Sequence, residues 1–285
     1  MIQVTNLSKQ YDRAEKKALN NVSFTLHDGE MVGLIGQNGA GKSTLLKLLC
    51  KFITPTTGNV EFDNRDIMSG SNHLDDVGIL LEPVFFPHLT AYENLAFYLD
   101  IHGKKKNKSE IDGMLEIVGL LNNKNEKPGD FSFGMKQRLG LAQALLGDPK
   151  ILILDEPFVG LDPTGVKELI SILKQRVIEK QMQAIISSHQ LFELNEICER
   201  VLVLHNGELV FDGIPNLNPE ITFVLNREYA FDIDCGVELH AKGNQVTVNT
   251  SGDQLDLIIG ELHKKYNIIN LSARKSALEK FFEES

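Results

Sequence analysis

The chain has 285 residues, of which 42% are hydrophobic and 24% charged, and its formal net charge is −10 at pH 7. This composition is that of an ordinary globular protein, and no run approaches the roughly 20 apolar residues that a membrane helix needs. The acidic charge argues against a surface that holds a nucleic-acid backbone, so we expect no nucleic-acid partner.

The start of the chain and its cysteines indicate a cytosolic protein. The first residues lack the charged and apolar regions of a signal peptide, so we expect that the chain is not secreted. The three cysteines, Cys50, Cys198 and Cys235, are scattered and do not have the spacing of metal ligands. Buried, reduced thiols are the simple explanation.

Strands and helices alternate along the first three-quarters of the chain. A continuous apolar strand is predicted at Met31–Ile35, followed by a glycine-rich loop and a helix from about Lys42 to Phe52. Residues from about 90 to 147 are predicted to be mainly helical, with a polar break at Asn122–Gly129. Strands return at Ile151–Leu154, Ala184–Ser187 and Val201–Leu204. This alternation predicts the α/β class, with a parallel sheet wrapped by helices.

A domain boundary is predicted near Ile214–Pro219, where two prolines and two asparagines interrupt the pattern. We therefore predict one domain over 1–215 and a small α+β accessory domain over 216–285. The tail is expected to contain strands at Ile221–Leu225, Val237–His240, Val246–Val248 and near Ile268–Leu271, a helix at Leu255–His263, and a terminal helix ending at Phe281 and Phe282.

A phosphate-binding loop is predicted between the strand at Met31–Ile35 and the helix that follows. The motif G-x-x-x-x-G-K-[ST] is matched by Gly36, Gln37, Asn38, Gly39, Ala40, Gly41, Lys42 and Ser43, with Thr44 next in the chain. The glycines let successive backbone N–H groups point at phosphate oxygens, and the helix adds its positive end. We expect Lys42 to reach the β- and γ-phosphates and Ser43 to offer its hydroxyl to Mg²⁺.

Two carboxylates follow the apolar strand Ile151–Leu154. A buried strand that ends in a carboxylate places a metal-holding group beside the phosphates of a P-loop site, so we assign Asp155 to Mg²⁺. Glu156, one position further, is better placed to orient and deprotonate the attacking water.

Several motifs in a fixed order resemble the ATP-binding subunits of ABC transporters over roughly residues 1 to 214. The segment Phe131–Met135, with Ser132 and Gly134, lies where that family has its Leu-Ser-Gly-Gly-Gln signature. Gly160–Pro163 matches the loop after the catalytic glutamate, and His189 follows a strand where the family keeps a switch histidine. Tyr11 occupies the place of the aromatic residue that stacks on adenine.

The resemblance implies the fold, the cofactors and the assembly. It implies a parallel-sheet core with an N-terminal antiparallel sheet and a helical subdomain at about 83–147. ATP would lie between Gly36–Thr44 of one chain and Ser132–Gly134 of a second copy or related subunit, with His189 sensing the γ-phosphate. Each residue also has a simpler interpretation: Ser132 as a helix cap, His189 as a structural histidine, and Tyr11 as a tyrosine at the end of a strand.

Glu82 departs from the family pattern, which usually has glutamine there as a Mg²⁺ contact. A carboxylate still ligates Mg²⁺, so Glu82 is a metal candidate with Ser43 and Asp155. The run from Glu82 to Leu95, together with the signature, resembles the subgroup that exports drugs, bacitracin or lantibiotic-type peptides.

The sequence thus predicts an ATPase that binds ATP and Mg²⁺ and drives a separate transmembrane permease from the inner, cytoplasmic face of the cell membrane. A soluble relative acting on ribosomes or DNA is the alternative. The single cassette and the acidic charge disfavour it, as does the gap of fewer than 100 residues between Ser43 and Ser132. A P-loop kinase or small GTPase leaves the signature and His189 unexplained. For the tail, dimer support is favoured over regulation or partner contact.

Overall fold

The computed structural model describes residues 1–12, 14–69, 76–104, 107–189, 191–215, 218–230, 237–250 and 252–274. The chain divides into two compact units, Met1–Ile214 and Pro215–Ser285, each with its own core. None of the helices in these ranges is both long enough and apolar enough to cross a membrane.

The first unit contains a small antiparallel sheet near the start of the chain. Its strands are β1 (Ile2–Lys9), β2 (Leu19–Leu26), β4 (Thr57–Phe62) and β5 (Arg65–Asp66), in the spatial order β2-β1-β4-β5. Buried and exposed residues alternate along most of β1 and β2, because one face packs on the core and the other meets solvent.

A six-stranded sheet forms the centre of the first unit. Its strands are β3 (Met31–Gly36), β6 (Val77–Leu80), β7 (Ile151–Asp155), β8 (Gln183–Ser188), β9 (Arg200–His205) and β10 (Glu208–Gly213), in the order β10-β9-β3-β8-β7-β6. All neighbours pair in parallel except β10, which is antiparallel to β9. The strand β8 is buried along its whole length, as expected where helices cover both faces of a sheet. The predicted α/β class is confirmed.

The described helices of the first unit are α1 (Lys42–Leu49), α2 (Ala91–Ile101), α3 (Lys108–Ile117), α4 (Phe133–Leu145), α5 (Pro163–Lys180) and α6 (Leu191–Ile197). Of these, α1, α4 and α6 pack on this sheet, and α2 and α3 pack on α4. Two short 3-10 turns, Leu121–Asn123 and Pro128–Asp130, overlap the two ends of the polar break predicted at Asn122–Gly129. The first helix ends before the predicted Phe52, because Lys51 adopts a left-handed conformation with φ of 57° that a helix cannot continue.

The core of the first unit fixes α1 in place. Leu45 and Leu48 of α1 are fully buried with Leu34 of β3 and with residues of the antiparallel sheet such as Val4. Burying a leucine stabilises the fold by roughly 2 kcal/mol. The start of α1 is therefore held firmly at the end of β3.

The second unit has a four-stranded antiparallel sheet and one helix. The strands are β11 (Glu220–Leu225), β12 (His240–Lys242), β13 (Gln245–Asn249) and β14 (Ile268–Arg274), in the order β12-β13-β11-β14, and the helix is α7 (Asp253–Lys265). The predicted strand at Val237–His240 is displaced, because pairing with β13 begins only at His240 and runs to Lys242. The terminal helix predicted to end at Phe281 and Phe282 lies outside the described residues.

Candidate nucleotide site

A tight loop joins the end of β3 to the start of α1. Gly36 is the last residue of β3, and a Cβ atom there would lie 2.6 Å from the carbonyl oxygen of Leu204. Gly41 precedes α1 with φ of 109°, and a Cβ atom there would lie 2.5 Å from the carbonyl oxygen of Ala18. Only glycine fits at these two positions, and it allows the tight backbone conformation that a phosphate-binding loop needs.

The side chain of Lys42 lies across this loop. Lys42 is 7% exposed, and its ammonium donates to the carbonyl oxygens of Gly36 at 2.5 Å and Gln37 at 3.3 Å. Burial lowers the pKa of Lys42, while the carboxylates of Glu156 and Asp155 act to raise it. A lysine ammonium that lies across a phosphate loop is suited to bind the terminal phosphates of a nucleotide.

Ser43 and Asp155 meet beside the loop. The Ser43 hydroxyl lies 3.1 Å from Asp155 Oδ2, at the carboxyl end of β7. A hydroxyl and a carboxylate are the oxygen ligands that Mg²⁺ takes from a protein when phosphates and water complete its shell, so this pair fits that ion.

Ser187 is a site residue that the sequence interpretation missed. The hydroxyl of this fully buried residue of β8 donates to Asp155 Oδ1, and the Ser187 Oγ atom accepts the backbone N–H of Glu156 at 3.1 Å. It therefore fixes both carboxylate residues at once. The only sequence signal is a serine at the end of an apolar strand, which gains meaning from the pairing of Asp155 with Ser187 in adjacent strands.

Glu156 has an unusual backbone conformation. Its φ of 49° is left-handed, which is uncommon for glutamate and is held here by hydrogen bonds on both sides. The N–H donates to the carbonyl of Ser187 at 3.1 Å, and the carbonyl accepts from the Gln137 side-chain amide of α4, also at 3.1 Å. The backbone of Glu156 is thus clamped between β8 and α4.

His189 contacts the carboxylate of Glu156. The His189 Nδ1 atom lies 2.8 Å from Glu156 Oε2, and the backbone N–H of His189 lies 3.3 Å from the same oxygen. An ionised carboxylate only accepts hydrogen bonds, so Nδ1 carries the hydrogen when Glu156 is ionised. The structure therefore brings together the predicted base and the predicted switch histidine.

Tyr11 lies next to the end of the loop. Its hydroxyl is 3.3 Å from the Thr44 hydroxyl, and the residue is 42% exposed. The Lys9 ammonium lies 5.3 Å from the ring centroid. An aromatic ring at this position offers an exposed apolar face close to the phosphate loop, as stacking on a base requires.

Ser132 immediately precedes α4, and Gly134 lies in the first turn of that helix. Ser132 caps α4, accepting the Met135 N–H at 3.2 Å. A Cβ atom on Gly134 would lie 2.9 Å from the carbonyl oxygen of Gly160, so glycine allows the first turn of α4 to approach the loop that contains Gly160. Within the described residues, neither Ser132 nor Gly134 hydrogen-bonds with the phosphate loop.

Among the three metal candidates, Glu82 is the one for which the structure shows no contact with Ser43 or Asp155. It follows β6, whose Leu80 pairs with Leu154, so Glu82 leaves the same edge of the sheet as Asp155. Its carboxylate has no hydrogen bond or ion pair within the part of the chain described. Its role as a metal ligand stays a prediction.

The fold and the site define a class of protein: a P-loop nucleotide-binding domain in which a strand-end aspartate meets the loop serine. The profile of the ABC transporter family matches residues 19–159. The chain belongs to this family, as one of its ATP-binding subunits, and it is an ATPase.

Relatives resemble the chain over most or all of its length. It is 34% identical to the bacitracin transport ATP-binding protein BcrA of Bacillus licheniformis, over 99% of this chain and 96% of that protein. It is 37% identical to the lantibiotic transport ATP-binding protein SrtF of Streptococcus pyogenes, over 80% of this chain and all of that protein. A dimeric ATP-binding cassette solved in a post-hydrolysis state with ADP and Pi aligns with a TM-score of 0.70 and 27% identity, over 75% of this chain and 98% of that one.

Proposed function

We propose that this ATPase drives the export of an antimicrobial peptide or a related drug through a separate membrane permease. The site that joins Lys42, Ser43, Asp155, Glu156 and His189 at one edge of the sheet carries the ATPase part of the proposal. Likeness to a bacitracin transport protein over 99% of the chain, including the second unit, supports this class of cargo.

Each side chain has a distinct task in this proposal. Lys42 would hold the β- and γ-phosphates, and Ser43 and Asp155 would hold Mg²⁺. Mg²⁺ supplies charge neutralisation on the phosphate oxygens. Glu156 orients the attacking water and accepts its proton, and His189 contacts the γ-phosphate. Tyr11 would stack on the adenine, and Glu82 would be a further Mg²⁺ ligand.

Two chains form the working unit in this proposal. Ser132 and Gly134 make no hydrogen bond to the phosphate loop of their own chain within the described residues, which supports a role at the site of a second chain. The dimeric cassette that aligns with this chain is a precedent for such a pair. We further propose that residues 216–285 support the pairing, and that the pair is peripheral on the cytoplasmic face of the membrane, bound to the permease.

The test is a resistance assay in the native host. A strain without this chain should become sensitive to at least one of a panel of peptide antibiotics that includes bacitracin and lantibiotics. The parent chain should restore resistance, and the Glu156→Gln variant should not. The control variant Glu179→Gln, which changes an exposed residue of α5, should restore resistance as the parent does. Unchanged sensitivity to the whole panel, with the chain found on ribosomes or DNA instead, would refute the export proposal.

A further inference from the structure

Glu193 presents an unsatisfied carboxylate oxygen close to the candidate site. It lies on α6, four residues after His189, and its carboxyl group is hydrogen-bonded to the Ser188 side chain. Its Oε2 atom is buried and has no hydrogen-bond partner among the described residues. A buried acceptor without a donor is costly, so such an atom in a functional region points to a partner in another state.

Glu193 and His189 line one cavity of about 440 Å³. The other walls are the loop after Glu156, from Phe158 to Leu161, and the start of α5. The titratable groups that face Glu193 are His189, Glu156, Glu196 and, from α5, Lys167. Of these, His189 is the one that also contacts the predicted base.

The observed contact between His189 and Glu156 occupies one oxygen of the base. Glu156 Oε2 is close to two hydrogens of His189, one on the backbone nitrogen and one on Nδ1. An oxygen with two donors is a poor acceptor for the proton of a water molecule. The ring of His189 therefore has to move away before Glu156 Oε2 takes up a proton. The hydrogen on His189 Nδ1 then needs another acceptor.

We propose that Glu193 is a positioning residue that accepts the Nδ1–H of His189 when the ring leaves Glu156, and that this contact holds Nε2 toward the γ-phosphate. The proposal rests on the proposed function, because it assumes that His189 contacts the γ-phosphate. A carboxylate that accepts from one ring nitrogen of a histidine fixes the tautomer and the orientation of the ring. This charge-assisted hydrogen bond also gives the buried oxygen of Glu193 a donor.

The first experiment compares steady-state ATP hydrolysis of the full chain with Glu193→Gln and with Glu196→Gln, a neighbouring exposed glutamate on the same cavity. We expect Glu193→Gln to lower kcat roughly 10- to 100-fold, as for other residues that orient a functional histidine. KM should change by less than about threefold, because Lys42 and the phosphate loop supply most of the ground-state binding of ATP. Glu196→Gln should match the parent.

Two further measurements separate positioning from a structural role. The thermal unfolding midpoint of Glu193→Gln should equal or exceed that of the parent, because the variant has no buried unpaired charge. The ratio of parent to variant kcat should shrink between about pH 8 and pH 5, since a protonated Glu193 no longer accepts as a carboxylate does. Burial of the carboxyl group, reinforced by Glu156 and Glu196 and opposed by His189 and Ser188, raises the pKa of Glu193 and brings this change closer to neutral pH.

A Glu193→Gln chain that turns over like Glu196→Gln, or whose deficit is the same at every pH, would overturn the proposal while leaving the ATPase site intact. An active parent with an inactive Glu156→Gln variant establishes that site independently. A parent without MgATP turnover, or a Glu156→Gln variant as active as the parent, would overturn the proposed function and the role of Glu193 with it.

Discussion

Ser43 Oγ lies 3.1 Å from Asp155 Oδ2, although 112 residues separate the two in the chain. The sheet order explains the contact, because β8 alone lies between β3 and β7 and all three strands run parallel. The loop after β3 and the end of β7 therefore leave the sheet at the same edge, which is where ligands bind in open parallel sheets.

Replacing Glu156 by glutamine should slow ATP hydrolysis by about 10²–10⁴-fold and leave ATP binding largely intact, because the amide keeps the shape but not the basicity of the group. The variant should accumulate an ATP-bound dimer, visible by size-exclusion chromatography, since two chains that pair around ATP would no longer cleave it. Glu179→Gln is the matched control. Near-normal turnover in Glu156→Gln would contradict its role as the base.

Replacing Ser187 by alanine should lower both stability and kcat. The change removes one donor to Asp155 and one acceptor for the Glu156 N–H in a fully buried position, so the free energy of unfolding should fall by about 1–3 kcal/mol. Urea denaturation and a MgATP turnover assay measure the two effects. Ser109→Ala, an exposed change, is the control, and equal kcat in both variants would show that Ser187 is structural only.

Mixing two inactive chains should restore activity if the site is shared. A Lys42→Ala chain is unable to hold phosphate, and a Ser132→Arg chain is unable to donate the signature residue. Their heterodimer retains one site made of two intact halves, so the rate should exceed that of either chain alone at intermediate ratios. If every mixture is as inactive as its components, the two halves do not combine across chains.

Replacing Glu82 by glutamine should raise the Mg²⁺ concentration needed for half-maximal hydrolysis and leave Mg²⁺-free ATP binding nearly unchanged. Repulsion between Glu82 and the phosphates would be about 2–4 kcal/mol at an effective dielectric near 20 if no cation compensated it. A Mg²⁺ titration of turnover and a fluorescent-nucleotide binding assay test both parts. Much tighter ATP binding by the variant, with an unchanged Mg²⁺ requirement, would make Glu82 a tolerated repulsion and not a ligand.

The parts of the site that depend on local sequence were predictable. The phosphate loop is one continuous motif, and Asp155 and Glu156 follow an apolar strand, so neighbouring residues alone identify them. Ser187 and Glu193 were not predictable, because their roles depend on the register of β7 against β8 and on the packing of α6. The displaced strand β12 has the same cause, since pairing with β13, and not the apolar pattern, decides where it begins.

The hydrogen bond from Gln137 to the carbonyl of Glu156 has a consequence for communication between paired chains. Gln137 is on α4, whose first turn carries the residue that each chain would offer to its partner's nucleotide. If a partner's nucleotide displaced α4 at that end, this hydrogen bond would carry the displacement to the backbone of Glu156 in the same chain, and the two nucleotide sites of a pair would then respond to each other. Turnover should therefore rise with ATP concentration more steeply than a hyperbola. The Gln137→Ala variant should instead give a hyperbolic dependence of turnover on ATP concentration. A hyperbolic curve for the parent chain would argue against this coupling.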